Sequence, residues 1–97
     1  MNLRRGITGE VQYYVQLGAF NDSIPADLAE AYISINGIAE YKREDKTVLA
    51  IGPYQKYNVA LSNKEKMIVS GISDAFIVAY NKGKRIPLNE AINYTRE

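Results

Sequence analysis

The chain has 97 residues, of which 46% are apolar and 24% are charged, and its net charge is +1. This length and apolar content are typical of one globular domain, and the near-neutral charge argues against nucleic-acid binding, which favours a strongly basic surface. The chain contains no cysteine and no histidine, which excludes thiolate and imidazole metal sites and Cys or His nucleophilic arrangements. We therefore expect a non-enzymatic domain with no cofactor and no metal.

No run approaches the ~20 apolar residues of a transmembrane helix, so we expect no membrane insertion by this chain. Arg4 and Arg5 are not followed by the apolar run of a signal peptide. We expect the chain to be a fragment of a larger exported protein.

The first half of the chain predicts a strand, a helix and a second strand. Residues 1–10 are polar and predict a flexible leader. The aromatic and β-branched run 11–20 predicts strand one, with Val15, Leu17 and Ala19 alternating against Tyr14, Gln16 and Gly18. The turn at 21–23 precedes a helix over 25–35, which begins at a proline and stops at a glycine. The polar run 38–43 predicts an edge strand.

The second half repeats this order. Residues 47–52 predict strand three, which Pro53 and Tyr54 end, and residues 57–70 predict helix two. Residues 75–80 form the most apolar strand, so we expect it to be well covered. Residues 81–84 predict a tight turn before a short fifth strand at 85–86, and Pro87 opens a brief terminal helix.

A gapless internal repeat at a separation of 34 residues supports this order. Val15 falls on Leu49 and Leu17 on Ile51, and glycines at 18 and 37 fall on glycines at 52 and 71. Two strand–helix–strand units predict an α+β domain over residues 11–80. Its expected fold is a ferredoxin/RNP-like βαββαβ with a pseudo-two-fold repeat and a four-stranded antiparallel sheet. Residues 81–97 are expected to form a C-terminal extension.

Such a fold leaves one sheet face without helices, which we call the open face. If Val15, Leu17, Leu49 and Ile51 face the helices, the period of two in a strand places four other residues on the open face. These are Tyr14, Gln16, Val48 and Ala50. Strand four is apolar on both sides, so alternation does not assign it.

Three segments resemble the SPOR (sporulation-related repeat) domain, in a Bacteroidetes-like variant. Residues 14–20 resemble its first strand, an aromatic followed by Val-Gln-hydrophobic-Gly-Ser-Phe. Residues 50–54 resemble its third strand, which commonly ends in Gly-Pro-Phe. Gly71 and residues 74–78 resemble its last strand, Gly-x-x-Ala-x-Val-Val.

The resemblance implies non-catalytic binding of peptidoglycan glycan strands, stripped of their stem peptides, on the open face. Such a domain targets its parent protein to the cell wall or septum, in the periplasm or cell envelope. The alternative is a protein–protein interaction domain of the envelope that uses the same face for envelope or division proteins.

The resemblance also implies a set of glycan-binding residues. Gln16 matches the family glutamine, and Phe76 falls on an apolar contact residue of the last strand. Ala19 replaces the family serine, and Lys46 and Val48 stand where aromatic and basic residues are common, which implies a weakened or altered ligand. The expected site is Tyr14, Gln16, Ala19, Lys46, Val48, Ala50, Phe76 and Val78.

The same residues have alternative interpretations. Structurally, Gln16 is alternatively a solvated strand residue, and Tyr14 and Phe76 are alternatively core or dimer contacts. An RNA-binding domain of this topology needs a basic and aromatic motif on strand three, which residues 48–52 lack. An acylphosphatase-type enzyme needs a phosphate loop and an arginine after strand one, and residues 21–23 supply neither.

Overall fold

The computed structural model describes residues 9–21 and 24–95, apart from the side chains of residues 27 and 28. Most of the predicted leader (residues 1–8) and two residues of the predicted turn (22 and 23) lie outside this range. The elements, in chain order, are β1 (Val11–Phe20), α1 (Ala26–Ile33), β2 (Ala39–Arg43), β3 (Lys46–Tyr54), α2 (Tyr57–Val69), β4 (Phe76–Asn81), β5 (Lys84–Ile86) and α3 (Leu88–Thr95).

The fold is α+β, as predicted, with one antiparallel sheet in the order β2-β3-β1-β4-β5. The sheet has five strands rather than the predicted four, because β5 pairs with β4 through Ala79–Ile86 and Tyr80–Arg85. The polar strand β2 lies at an edge, as its composition predicts. The apolar strand β4 lies inside the sheet, between β1 and β5.

The helices cover one face of the sheet. Buried residues from all three helices (Tyr32, Ala60 and Ala91) belong to one apolar core with the inward side chains of the strands. The predicted inward orientation of four strand residues is confirmed, because all of them lie in this core: Val15, Leu17, Leu49 and Ile51. The repeat thus reflects equivalent positions in the core.

A bulge in β1 changes the alternation of its side chains. Gln16 lies opposite Ala50, and Gly18 lies opposite Leu49, so β1 has one more residue than β3 at this point. A Cβ at Gly18 would lie 2.6 Å from the Phe20 ring and 2.8 Å from the Tyr32 hydroxyl. The space beside Gly18 on the helix side is therefore already filled, and a side chain does not fit there without displacing its neighbours.

After the bulge, each residue of β1 lies on the opposite face of the sheet from the one that strict alternation predicts. Ala19 lies opposite Val48, and Phe20 lies opposite Thr47. Phe20 packs against Tyr32 on the helix side, with ring centroids 6.2 Å apart. The expectation that Ala19 shares a face with Val15 is wrong, because the extra residue turns Ala19 to the open face, where it is exposed.

The expected end of β3 at Pro53 is also wrong. The strand continues to Tyr54, which lies opposite Tyr13. A second register shift accommodates Gly52, whose φ of +136° is unfavourable for other residues. A Cβ at Gly52 would lie 2.9 Å from the ring of Tyr14, so this glycine lets β3 approach β1 closely.

The C-terminal segment belongs to the same core. Ala91 of α3 is fully buried, and Leu88 and Ile92 pack against the core. The Tyr13 hydroxyl lies 2.6 Å from the Thr95 hydroxyl, which joins the end of α3 to the middle of the sheet. Residues 84–95 thus add a fifth strand to the sheet and a third helix to the core.

Candidate binding site on the open face

The open face is built from alternate residues of all five strands. Directly opposite residues of antiparallel strands share a face, so the observed register assigns each side chain. The residues of the open face are Gln12, Tyr14, Gln16, Ala19, Ala39, Tyr41, Arg43, Lys46, Val48, Ala50, Phe76, Val78, Tyr80 and Arg85. No helix of the described chain covers them, because all three helices contribute to the core on the opposite side.

A cleft of about 300 Å³ lies in the middle of this face, and we call it the tyrosine cleft. Its lining residues are Gln12, Tyr14, Ala39, Tyr41, Ala50, Tyr80 and Gly83. The rings of Tyr14 and Tyr80 meet edge to face, with centroids 5.6 Å apart and an interplanar angle of 86°. This geometry stabilises an aromatic pair beyond its buried area, so the walls of the cleft are well defined.

The hydroxyls of Tyr41 and Tyr80 meet across the cleft at 3.4 Å. This distance is longer than the ~2.5–3.0 Å of a strong O–H···O bond, so the two phenols pair weakly. Burial, with the contact to Tyr80, raises the pKa of Tyr41 to about 12, and the positive charges of Arg43 and Arg85 partly oppose this rise. Tyr41 therefore stays protonated at neutral pH and can donate to a ligand.

A second cleft, of about 250 Å³, lies where β1 ends and β4 begins. Gln16, Ala19, Tyr32, Asp74 and Phe76 are among its lining residues, and we call it the Gln16 cleft. Burial, and then the negative charge of Asp74, raise the pKa of Tyr32. The Tyr32 hydroxyl donates to the backbone carbonyl of Leu17 at 3.2 Å, which anchors α1 to β1 beside this cleft.

Gln16 has an unusual environment. Its side-chain oxygen Oε1 is buried and has no hydrogen-bond partner among the described residues. An unpaired buried acceptor costs about 1–3 kcal/mol, so a well-packed fold rarely retains one without a reason. In folded proteins such an acceptor is commonly met by an ordered water or a bound group.

The predicted site residues all lie on the open face, but they differ in the cleft that they line and in their exposure. Tyr14 and Ala50 line the tyrosine cleft, and Gln16, Ala19 and Phe76 line the Gln16 cleft. Lys46 is exposed at the start of β3, opposite Arg43. Val48, Ala50 and Val78 are at most 2% exposed, so they support the face from below and offer little surface to a ligand.

Sequence reasoning missed several residues of the tyrosine cleft: Gln12, Ala39, Tyr41 and Gly83. Alternation within β1 carries a signal for Gln12, since it is two residues from Tyr14. Tyr41 had no such signal, because its position opposite Val48 and its contact with Tyr80 depend on strands far apart in the sequence.

Comparisons with protein-family models, curated proteins and solved structures find no match for this chain. Within residues 9–21 and 24–95, no group of three or more acidic side chains is placed to hold a metal ion. No helix in the same ranges has the length and apolar character needed to cross a membrane.

Proposed function

We propose that this domain is a non-catalytic SPOR-type module that binds peptidoglycan glycan strands on its open face. The proposal includes a ferredoxin-like βαββαβ unit formed by β1 to β4, to which β5 and α3 are added. The module targets its parent protein to the cell wall or septum in the periplasm or cell envelope. The observation that carries the proposal is the tyrosine cleft on a sheet face without helices.

The chemistry of the face suits sugars. The apolar C–H faces of sugar rings pack against aromatic rings, and the cleft offers the rings of Tyr14, Tyr41 and Tyr80. Sugar hydroxyls both donate and accept hydrogen bonds, as the amides of Gln12 and Gln16 do. The site thus combines stacking surfaces with amides that match hydroxyl groups.

The arrangement of the two clefts suits a polymer rather than a single sugar. Tyr14 lines one cleft and Gln16 lines the other, and two residues along a strand span about 7 Å. Tyr14 and Gln16 therefore follow each other along β1 on the open face, and the Gln16 cleft continues around the end of this strand to Phe20 and Tyr32 on the helix side. A glycan strand lying along β1 is able to reach both clefts.

The test is co-sedimentation of the pure domain with intact sacculi and with sacculi from which an amidase has removed the stem peptides. We expect more protein in the pellet after stripping. The double variant Gln16→Ala with Phe76→Ala is expected to lose this binding and to keep a nearly unchanged unfolding transition.

The matched control replaces an amide and an exposed apolar residue of α2, on the opposite side of the sheet: Asn58→Ala with Val69→Ala. Val69 is 87% exposed, and α2 belongs to the helix side, so this variant is expected to bind like the wild type. Failure of the folded wild type to bind either preparation would contradict the proposal. Wild-type binding by the Gln16/Phe76 variant would contradict the assigned face.

A second candidate is a protein-interaction domain of the envelope that uses the same face. Phe76 favours it, because this large apolar side chain is 43% exposed beside the Gln16 cleft. Exposed apolar groups on a sheet face also occur at protein interfaces. The sedimentation experiment separates the two candidates. Binding to purified sacculi favours the glycan-binding module, and a folded domain that does not bind them favours a protein partner.

A further inference from the structure

The two edges of the sheet differ in how well they are protected against pairing with another strand. An edge strand presents unpaired backbone N–H and C=O groups, and short length, like charges, proline and bulges commonly prevent it from pairing. β5, at one edge, has only three residues. It carries Lys84 and Arg85, and Pro87 directly after it has no N–H group. These features disfavour the addition of a strand to β5.

β2, at the other edge, lacks these features. It has five residues, contains no proline and pairs with β3 without a register shift. Its residues are exposed, except for the half-buried Tyr41. In the part of the chain that the structure describes, no strand pairs with the outer side of β2. This side is therefore accessible to a strand from another molecule.

The charges of β2 match those of an antiparallel second copy of the same strand. When two copies run antiparallel with Tyr41 at the two-fold axis, Glu40 of each copy lies opposite Lys42 of the other. Opposite charges in such cross-strand positions stabilise a sheet, and like charges there destabilise it. Tyr41 then lies opposite Tyr41 of the other copy, and Ala39 lies opposite Arg43. The pairing contains two opposite-charge pairs and no like-charge pair.

The charges also select this register over its neighbours. With Glu40 at the axis, the two Glu40 carboxylates lie opposite each other, and with Lys42 at the axis, the two ammonium groups do so. In the register centred on Tyr41, the turn residues Glu44 and Asp45 lie beyond the paired segment. They come opposite positions 38 and 37, which carry no charge.

Glu40 and Lys42 are both placed for such pairs. Each lies on the helix side of the sheet, because they are opposite Leu49 and Thr47 of β3. Both are exposed at the edge. The Lys42 ammonium donates one hydrogen bond to the Thr47 hydroxyl at 2.8 Å, and its two other N–H groups can be donated to a carboxylate.

We propose that this domain self-associates through β2, so that the five strands of each copy form one continuous antiparallel sheet. Directly opposite residues share a face, so the open faces of both copies lie on the same side of this sheet. Ala39 and Tyr41 line the tyrosine cleft, so the two tyrosine clefts lie next to each other across the dimer axis. The inference goes beyond the proposed function and does not depend on a glycan ligand.

The test is analytical ultracentrifugation of the domain alone. Five residues on each side form an interface at the small end of the range, below the ~1,200 Å² of total buried surface that stable complexes need. We therefore expect a weak monomer–dimer equilibrium in the wild type, visible between about 10 µM and about 1 mM protein.

Charge reversals test the register. Glu40→Lys brings ammonium groups opposite each other in both pairs, and Lys42→Glu does the same with carboxylates. Each variant alone is expected to dimerise about tenfold or more weakly than the wild type. An equimolar mixture of the two variants has opposite charges in both pairs, so we expect it to form a heterodimer with at least the wild-type affinity.

The matched controls are Glu65→Lys and Lys66→Glu, which make the same changes of net charge at exposed positions of α2. They are expected to dimerise like the wild type. Thermal unfolding of all four variants establishes that they are folded.

A wild type that stays monomeric up to about 1 mM, a concentration at which weak complexes with millimolar Kd are detected, would overturn the inference. Equal weakening in the α2 controls would also overturn it, because net charge rather than β2 would then determine association. A mixture of Glu40→Lys and Lys42→Glu that remains monomeric would overturn the register centred on Tyr41. None of these results bears on binding to sacculi, which is measured separately.

Discussion

Gln16 and Leu17 are adjacent in β1 but face opposite sides of the sheet, so substituting each by alanine tests the face assignment directly. Leu17 is 1% exposed and lies in the core beneath the helices. Gln16 lies on the open face, and its buried Oε1 has no hydrogen-bond partner in the part of the chain that the structure describes. We expect Leu17→Ala to lower stability, and we expect Gln16→Ala to weaken binding with little change in stability.

The stability cost of Leu17→Ala follows from its burial. Removing a buried leucine side chain costs about 2–5 kcal/mol through lost transfer free energy and the remaining cavity. A domain of this size is stabilised by only ~5–15 kcal/mol, so the loss is a large share of the total. With a urea m-value of ~1–3 kcal/mol/M, a loss of this size lowers the midpoint of unfolding by roughly 0.7–5 M.

Gln16→Ala is expected to change the free energy of unfolding much less. The variant loses some packing on a half-buried face, but it also removes an acceptor that costs about 1–3 kcal/mol when it is unpaired. These effects have opposite signs, so we expect a result between neutral and slightly stabilising. Binding to stripped sacculi is expected to weaken, since the side chain lines the Gln16 cleft.

Stability is measured by urea unfolding monitored by far-UV circular dichroism. Binding is measured by co-sedimentation of the same proteins with sacculi in the absence of urea. Wild-type stability in Leu17→Ala would refute the assignment of the core face. A loss of more than ~2 kcal/mol in Gln16→Ala, the size expected for a core truncation, would show that Gln16 is a structural residue and would refute the argument from its unpaired oxygen.

Two further predictions concern the tyrosines. Tyr13→Phe removes the contact with Thr95 and is expected to lower the free energy of unfolding by about 0.5–1.5 kcal/mol, with faster amide exchange in α3; unchanged exchange there would contradict the role of this contact. Burial raises the pKa of Tyr41 to about 12 in the native state, so the native state holds the phenol proton more tightly than the unfolded state does. The stability gained in this way is fully present below the unfolded pKa of ~10 and is lost as the pH rises through 12. Stability curves of the wild type and Tyr41→Phe should therefore converge or cross above pH ~10, and a constant difference up to pH 12 would refute the raised pKa.

Local patterns were sufficient to predict the elements and the core. Alternation in β1 and β3 identified the side chains that face the helices, and all four of them lie in the core. The polar composition of β2 predicted its edge position. These predictions succeed because burial of one strand face imposes a period of two that is visible within a few residues.

The candidate site was predictable only in part. Alternation placed Tyr14 and Gln16 on the open face, and both line clefts there. It placed Ala19 on the wrong side, because β1 has one more residue than β3 between Gln16 and Gly18. No local pattern reveals that one strand has an extra residue relative to its partner.

The sequence by itself determined the α+β class, the order of the elements and the inward faces, because these follow from hydrophobic periodicity and turn residues along the chain. Only the tertiary structure decided on which face of the sheet Ala19 lies, that a fifth strand joins the sheet, and that Tyr14, Tyr41 and Tyr80 form a cleft. The three tyrosines come from three strands, β1, β2 and β4, of which β2 and β4 are not neighbours in the sheet. Their meeting depends on register between distant segments, and register is set by the packing of the whole domain.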